Sequence, residues 1–319
     1  MIVKTRRLSK TSSFFGSTVL LVGIGSAAFA LGSNEPSGCR PEAEPIVISS
    51  PVSDEPVLRF LALGDTGRGD RGQEGVAAAM TGFNLDFTAE LVLLLGDNFY
   101  PRGVRATGDS QWKTKFEDMY DPARLDIPFY SVLGNHDYRR DEQVQIEYSR
   151  KNPQSRWKMP GRYYSFSRRL SDGTRIDFFG IDTNTITHDP AQLSWLDTAL
   201  ASSTAQWKIV FAHHVLYSYG HYGDNRTLIA TLENRFVRGD VDLFVSGHEH
   251  QLQILEPIRA VSYMTSGAGS RPREAKCGER SVYAAGAPGF LGFEVSKNLL
   301  RTYVVLADGR VDFAYTMRK

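Results

Sequence analysis

Residues 90–100 read Glu-Leu-Val-Leu-Leu-Leu-Gly-Asp-Asn-Phe-Tyr, a short apolar run that ends in a glycine and a group of polar side chains. An uninterrupted run of Val and Leu is typical of a strand buried on both faces of its sheet. Gly96 allows the backbone to turn sharply where the strand ends, so that Asp97 and Tyr100 are presented at the sheet edge. The stretch therefore predicts a layered α/β fold with polar side chains at its strand ends.

Four further blocks of polar residues follow apolar runs in the same way. They are Gly64–Gly67, Gly134–Asp137, Ala212–His214 and Gly247–His250, after the runs 57–63, 129–133, 207–212 and 241–246. A single block of this kind is more often a turn or a hydrogen-bonded histidine than a ligand site. Because ligand sites in layered α/β proteins assemble where strands end, we expect the five blocks to converge.

Helical and further strand patterns complete the fold prediction. Helix-like stretches cover 73–80, 111–120, 191–201 and 226–237. Additional strands are predicted at 161–166, 175–181, 251–255, 262–266, 289–295, 301–306 and 311–315. Strands and helices in this order predict an α/β protein whose two mixed β-sheets pack as a sandwich flanked by helices.

The overall composition excludes several classes of protein. At 319 residues the chain can form one large domain or two small ones. Its 37 Lys and Arg against 36 Asp and Glu give a net charge of +1, so we expect neither nucleic acid nor an anionic membrane as a partner. The two cysteines, Cys39 and Cys277, could pair in an exported protein, but they are too few for the fold to depend on disulfides.

The N-terminal 56 residues differ from the rest of the chain. Residues 1–30 carry basic side chains and then an apolar run that closes on Ala28-Phe29-Ala30, which predicts a cleaved signal peptide. An uncleaved membrane anchor is the alternative. Residues 31–56 are rich in Pro, Ser and Glu and are interpreted as an exposed linker. The folded domain is therefore predicted at 57–319, in an exported protein of the periplasm or the extracellular space.

The five blocks together supply seven candidate ligands, namely two Asp, one Tyr, one Asn and three His side chains. Carboxylates mixed with imidazoles suit first-row transition metals, and a phenolate favours Fe(III). Seven such side chains are too many for one ordinary site, but they suit two ions that share a bridging carboxylate. Paired ions about 3.5–4 Å apart recur in enzymes of phosphoryl chemistry. The sequence therefore predicts a binuclear metal centre.

The blocks resemble those of the calcineurin-like metallophosphoesterase superfamily and, within it, the small, tartrate-resistant type of purple acid phosphatase. The superfamily's usual first block has a His two residues after its Asp, where this chain has Gly67. Purple acid phosphatases use a Tyr of the second block instead, and Tyr100 stands at that place. The segments 192–196 and 266–269 are similar as well. The resemblance covers about 57–319 and implies the α-β-β-α metallophosphoesterase fold.

The resemblance also implies a ligand set for two ions. Fe(III) would be held by Asp65, Tyr100 and His250. A divalent Fe, Zn or Mn ion would be held by Asn135, His213 and His248. The bridging ligand would be Asp97.

Two histidines are implied as catalytic groups. His136 matches the family's His beside the site, which contacts the substrate phosphate and assists the leaving group. A second His is expected in the loop after His213, and His221 stands one position earlier than the small type usually has it, so that its role stays open. His214 is interpreted as loop structure or as a neighbour of the ligands. Asp137 could orient an imidazole or cap a turn.

The implied reaction is the hydrolysis of small phosphomonoesters, at acidic pH, by hydroxide that the metals generate from water. One alternative is a phosphodiesterase or nucleotidase that uses Mn or Zn on the same scaffold. A more distant alternative is a binding or scaffold protein with a degenerate site.

Overall fold

The computed structural model describes residues 37–40 and 55–319. The predicted signal peptide and most of the predicted linker lie outside the described residues. Among the residues described, none of the helices has the length and apolarity that crossing a bilayer needs.

Fifteen strands and four α-helices are present in the described ranges. The strands are β1 (Gly38–Cys39), β2 (Leu58–Leu63), β3 (Leu91–Leu94), β4 (Phe129–Ser131), β5 (Trp157–Lys158), β6 (Tyr164–Arg169), β7 (Arg175–Gly180), β8 (Trp207–Ala212), β9 (Leu243–Ser246), β10 (Leu252–Leu255), β11 (Ser262–Ser266), β12 (Ser281–Ala285), β13 (Gly289–Val295), β14 (Leu299–Leu306) and β15 (Val311–Arg318). The helices are α1 (Arg71–Phe87), α2 (Gln143–Lys151), α3 (Pro190–Ser202) and α4 (Arg226–Arg238).

The strands form two mixed sheets, as predicted. One has the order β15-β14-β13-β2-β3-β4-β5, and β2 to β5 are parallel in it. The other has the order β1-β12-β10-β11-β9-β8-β7-β6, and its centre, β7-β8-β9-β11, is parallel. Parallel neighbours end at the same edge of a sheet, so each sheet offers one edge at which loops can converge.

Side chains alternate between two apolar layers along each central strand. In β2, Phe60 faces the other sheet, where its ring lies 5.3 Å from that of Phe178. Leu61, its neighbour in sequence, belongs to the layer that packs under Met80 of α1. On the second sheet, Phe244 packs with Leu232 of α4. The layers are thus helix, sheet, sheet and helix, which confirms the predicted sandwich.

Helix starts follow the local sequence. The Asp70 carboxylate accepts hydrogen bonds from the first backbone N–H groups of α1, and Asp189 caps α3 in the same way. Pro190 occupies the first position of α3, where a missing N–H costs nothing. The predicted stretch 111–120 contains a π-helical turn at Lys113–Glu117 rather than a regular α-helix.

Four elements were not predicted from the sequence. Helix α2 has only two aliphatic side chains among its nine residues, and β5 and β12 are too short or too alanine-rich to stand out. Strand β1 falls within the segment interpreted as a linker, where it pairs with β12 at the edge of the eight-stranded sheet. Cys39 of β1 forms a disulfide with Cys277.

Candidate metal centre

The ends of β2 and β3 in one sheet meet the ends of β8 and β9 in the other. Backbone bonds fix the junction: Asp65 N–H donates to the Gly96 carbonyl at 3.0 Å, and Gly247 N–H donates to that of His213 at 3.0 Å. Across the sheets, His213 Nδ1 lies 2.9 Å from the Leu95 carbonyl oxygen. The five blocks therefore converge in the structure, as predicted.

Three of the predicted ligands have left-handed backbone conformations. The φ angles are 59° at Asp65, 52° at Asp97 and 66° at His248. Such angles are uncommon for residues with a side chain, and they concentrate at functional sites where the surroundings enforce them. Each of these residues follows a glycine at a strand end, so the turn points its side chain back toward the junction of the sheets.

Gly67 has a steric reason to lack a side chain. A Cβ at this position would lie 1.8 Å from the carbonyl oxygen of Asn98. With this backbone no histidine can stand two residues after Asp65. A side chain of the second block takes the place of the missing histidine, because Tyr100 reaches the Asp65 carboxylate.

One group of donors consists of Asp65, Tyr100 and His250, all of them buried. The Tyr100 hydroxyl donates to Asp65 Oδ1 at 3.0 Å. His250 Nε2 lies 3.2 Å from that hydroxyl and 3.2 Å from the same carboxylate oxygen. A phenol, a carboxylate and an imidazole thus present their ligand atoms to one point.

A second group consists of Asn135, His213 and His248. His213 Nε2 lies 3.1 Å from Asn135 Oδ1 and 3.1 Å from His248 Nδ1. Asp97 lies between the two groups: its Oδ1 is 3.6 Å from His213 Nε2, and its ligand atom clusters within 4.8 Å with those of Asp65 and His213.

The electrostatics of both groups favour bound cations. The pKa of Asp97 is raised well above its ordinary value, first by burial and then by the neighbouring carboxylate of Asp65. Burial and the same carboxylate also raise the pKa of the Tyr100 phenol. Burial lowers the pKa values of His213 and His248, so both imidazoles keep a lone pair for a metal. Adjacent buried carboxylates with neutral imidazoles fit two metal ions.

The outer nitrogens of two histidines are anchored to carbonyl groups. His213 Nδ1 faces the Leu95 carbonyl, and His250 Nδ1 lies 2.8 Å from that of Arg271. Since a carbonyl oxygen can only accept, each Nδ1 carries the proton and each Nε2 is free to bind a metal. Such outer contacts orient the ring and raise the basicity of the ligand.

Comparison with known proteins agrees with this geometry. The sequence profile of the family described as "Calcineurin-like phosphoesterase" matches residues 58–252. The chain belongs to the calcineurin-like phosphoesterase family. Within this family it is similar to purple acid phosphatases, which confirms the resemblance inferred from the blocks.

Two plant relatives and one animal relative illustrate that similarity. Purple acid phosphatase 3 of Arabidopsis thaliana is 32% identical over 69% of this chain and 65% of its own length, so the chain spans just under two thirds of that relative. Purple acid phosphatase 17 of the same plant is 31% identical over 69% of this chain and 71% of its own length. Tartrate-resistant acid phosphatase type 5 of Mus musculus is 30% identical over 67% of this chain and 73% of its own length.

Solved structures share the fold at lower identity. The Plasmodium protein titled "GAP50 the anchor in the inner membrane complex" superposes with a TM-score of 0.76 at 24% identity, over 83% of this chain and 89% of its own. Purple acid phosphatase PPD1 of yellow lupin (Lupinus luteus) superposes with a TM-score of 0.65 at 17% identity, over 82% of this chain and 54% of its own. An anchor and a phosphatase share this fold, so function has to be argued from the site.

In this member of the phosphoesterase family His136 lies directly beside the centre. Its backbone N–H donates to Asp97 Oδ1 at 2.8 Å, and its ring centroid is 4.4 Å from that of Tyr100. His136 Nδ1 lies 2.8 Å from the Pro101 carbonyl oxygen and so carries a proton, while Nε2 is 4.0 Å from Asp97 Oδ2. Burial lowers the pKa of His136.

The loop after His213 brings Tyr222 rather than His221 onto a predicted ligand. The Tyr222 ring stacks on His248 with centroids 4.4 Å apart and planes inclined by 17°. His221 is exposed, its ring lies 4.8 Å from that of Tyr222, and within the described residues its ring makes no hydrogen bond. His214 lies against the ligands. Its ring is 4.4 Å from that of His248, its Nδ1 is 2.9 Å from Thr183 Oγ1, and one of its ring nitrogens lies within 4.8 Å of ligand atoms of His213 and His248.

Two residues that support the site were not singled out from the sequence. Glu249 lies inside a quoted block, and its buried carboxylate accepts the backbone N–H groups of three successive loop residues, His221, Tyr222 and Gly223. Thr183 follows β7 as the other blocks follow their strands, so the same pattern could have identified it.

Asp137, for which an orienting or a capping role was open, holds two loops together. Its carboxylate accepts the backbone N–H groups of Asn98, Phe99 and Gly134 at 2.8–3.2 Å. No ring nitrogen is among its partners in the described chain. The residue therefore caps turns and fixes the loops that carry Asp97 and Asn135.

Proposed function

We propose that this chain is a binuclear-metal phosphohydrolase that cleaves small phosphomonoesters at acidic pH, as purple acid phosphatases do. The observation that carries the proposal is the pair of three-donor groups with Asp97 between them. The similarity to acid phosphatases of plants and animals supports it. Bound metals supply Lewis acidity and lower the pKa of water, which is what hydrolysis of a phosphate ester requires.

The proposed ligand sets follow the two groups. Asp65, Tyr100 and His250 would hold Fe(III), since a phenol ligand favours the ferric ion. Asn135, His213 and His248 would hold a divalent Fe, Zn or Mn ion, and Asp97 would be shared between the two.

His136 is the proposed acid for the leaving group. Its Nδ1 proton is committed to the Pro101 carbonyl, so the proton on Nε2 is the one available for transfer. Because burial lowers its pKa, the imidazolium form is populated only in acid, which supports an acidic optimum. His221, exposed on the rim, is proposed as a second group that meets the leaving group outside the centre.

Export is part of the proposal, with residues 1–30 as a signal peptide and a periplasmic or extracellular location. The Cys39–Cys277 disulfide supports it, because such bonds persist in oxidising compartments. The near-zero net charge supports a small substrate rather than nucleic acid.

Metal analysis of the purified protein, combined with turnover of an aryl phosphate monoester and the matching diester, tests the function. Two metals per chain and faster monoester hydrolysis are expected. Faster diester hydrolysis would identify a phosphodiesterase, and a metal content near zero would identify a scaffold protein.

A further inference from the structure

Arg68 lies against a proposed metal ligand without being one. Its guanidinium carbon is 4.2 Å from the centroid of the Tyr100 ring. A guanidinium at this distance from an aromatic face is held by cation–π attraction, which is stronger where water is excluded. Tyr100 is 4% exposed, so its face is such a place.

The backbone enforces this contact. Tyr100 N–H donates to the Gly67 carbonyl at 2.7 Å, and Gly67 N–H approaches the Asp97 carbonyl at 3.4 Å. The loop that carries Arg68 therefore rests on the loop that carries Tyr100. Arg68 is placed over the ring by the same glycine that leaves no room for a histidine ligand.

The charge of Arg68 is not neutralised by an ion pair. Across the residues that the structure describes, its guanidinium has no hydrogen bond or ion pair, and its Nε is buried without a partner. The nearest acidic residue in sequence, Asp70, is engaged by Arg271 at 2.8 Å and by the start of α1. The guanidinium therefore lies on the Tyr100 ring without a counter-ion from the described part of the chain, and its field also reaches His136 and Lys115.

We propose that Arg68 is a positioning residue of the metal centre, whose guanidinium lies on the Tyr100 ring and reduces the electron density that the ring donates to iron. This inference rests on the proposed function, since it requires ferric iron at Tyr100. A positive charge against the donor ring lowers the energy of its electrons more than that of the iron beyond the oxygen. Charge transfer from Tyr100 to iron then needs more energy, and the ferric ion is reduced more easily.

The test uses visible spectra of the full chain, loaded with iron and normalised to bound iron. In Arg68→Gln the charge-transfer band should move to longer wavelength, and the ferric/ferrous midpoint potential should become more negative. Arg68→Lys should give a smaller shift, because it keeps the positive charge and loses only the planar face that stacks. The matched control is Arg71→Gln, which removes the same charge from an exposed side chain three residues away.

The possible failures are distinguishable. A wild-type protein that is full of iron yet colourless would contradict iron ligation by Tyr100, and with it the proposed centre. A coloured wild type whose band and potential are unchanged in Arg68→Gln would overturn only the role of Arg68. If Arg68→Gln does not retain iron, the same two measurements on Arg68→Met, which also removes the charge, decide, and values equal to wild type overturn the inference.

Discussion

The buried carboxylate of Glu249 accepts a hydrogen bond from the backbone N–H of Tyr222, with 2.6 Å between Oε1 and the nitrogen. Glu249 lies between two proposed ligands, His248 and His250, while Tyr222 belongs to the loop that covers His248. One carboxylate thus couples the conformation of that loop to the block that carries two metal ligands.

Glu249→Gln should loosen this loop. The amide keeps one oxygen but turns an NH₂ group toward backbone N–H donors, so hydrogen bonds to a charged acceptor are lost, at about 1.5–3 kcal/mol each. We expect a lower denaturation midpoint and a lower kcat/KM with both metals retained. Glu256→Gln, at an exposed position, is the control. Unchanged stability and kinetics in Glu249→Gln would show that the loop is held by other contacts.

Asp97→Ala should remove the carboxylate that lies between the two groups. Loss even of residues that only orient metal ligands lowers affinity or activity by about 10–100-fold, so a bridging ligand should cost at least that much. Metal content per chain and turnover of an aryl phosphate measure the effect. Asp86→Ala on the exposed face of α1 is the control. Two metals and full turnover in Asp97→Ala would contradict the proposed centre.

Tyr100→Phe should abolish visible absorption while the fold is retained. The phenylalanine ring fills the same volume, and only the hydroxyl that contacts Asp65 and His250 is lost. The spectrum of the oxidised, iron-loaded variant is the measurement, with the metal content determined on the same sample. A band of wild-type intensity would assign the colour to another group.

His136→Ala should lower kcat, and more strongly for an alkyl phosphate than for an aryl phosphate with a good leaving group. A general acid contributes typically about 10²–10⁴-fold, and a good leaving group needs less of it. His221→Ala should show the same leaving-group dependence with a smaller amplitude, because its ring has no contact with the metal ligands. Equal losses for both substrates would point to a structural role for His136.

Acid should remove part of the stability through Asp109. The hydrogen bond from the Arg105 side chain lowers the pKa of Asp109 below its ordinary value. A carboxyl group with a depressed folded pKa stabilises the protein above its unfolded pKa of about 3.9, and this contribution is lost as the pH falls below that value.

Asp109→Asn should therefore be less stable than wild type at pH 7, by about 1–2 kcal/mol, and the difference should shrink below pH about 4. Urea denaturation at pH 7 and at a pH below about 4 measures the difference in the free energy of unfolding between the variant and the wild type. Asp86→Asn, on the exposed face of α1, is the control. A difference that is the same at both pH values would mean that the charge of Asp109 is not involved.

Local patterns and strand geometry predicted the five blocks and the two sheets. A Gly followed by Asp, Asn or His after an apolar run fixes a turn, and parallel strands bring such turns to one edge. The position of Tyr222 on His248 could not be predicted, because it depends on a loop conformation that Glu249 imposes from 26–28 residues away in sequence. The pairing of β1 with β12 could not be predicted either, since it joins residues far apart in the chain.

The disulfide between Cys39 and Cys277 has a topological consequence. The two cysteines are 238 positions apart, and all of the proposed ligands lie between them, so the covalent path forms a ring that contains the whole site. In chain-entropy terms a ring of this size disfavours the unfolded ensemble by about 5 kcal/mol. An unfolded but oxidised chain would keep its ligand side chains within a confined volume. Oxidation should therefore speed the recapture of metal during refolding, and a reduced chain would lose that advantage.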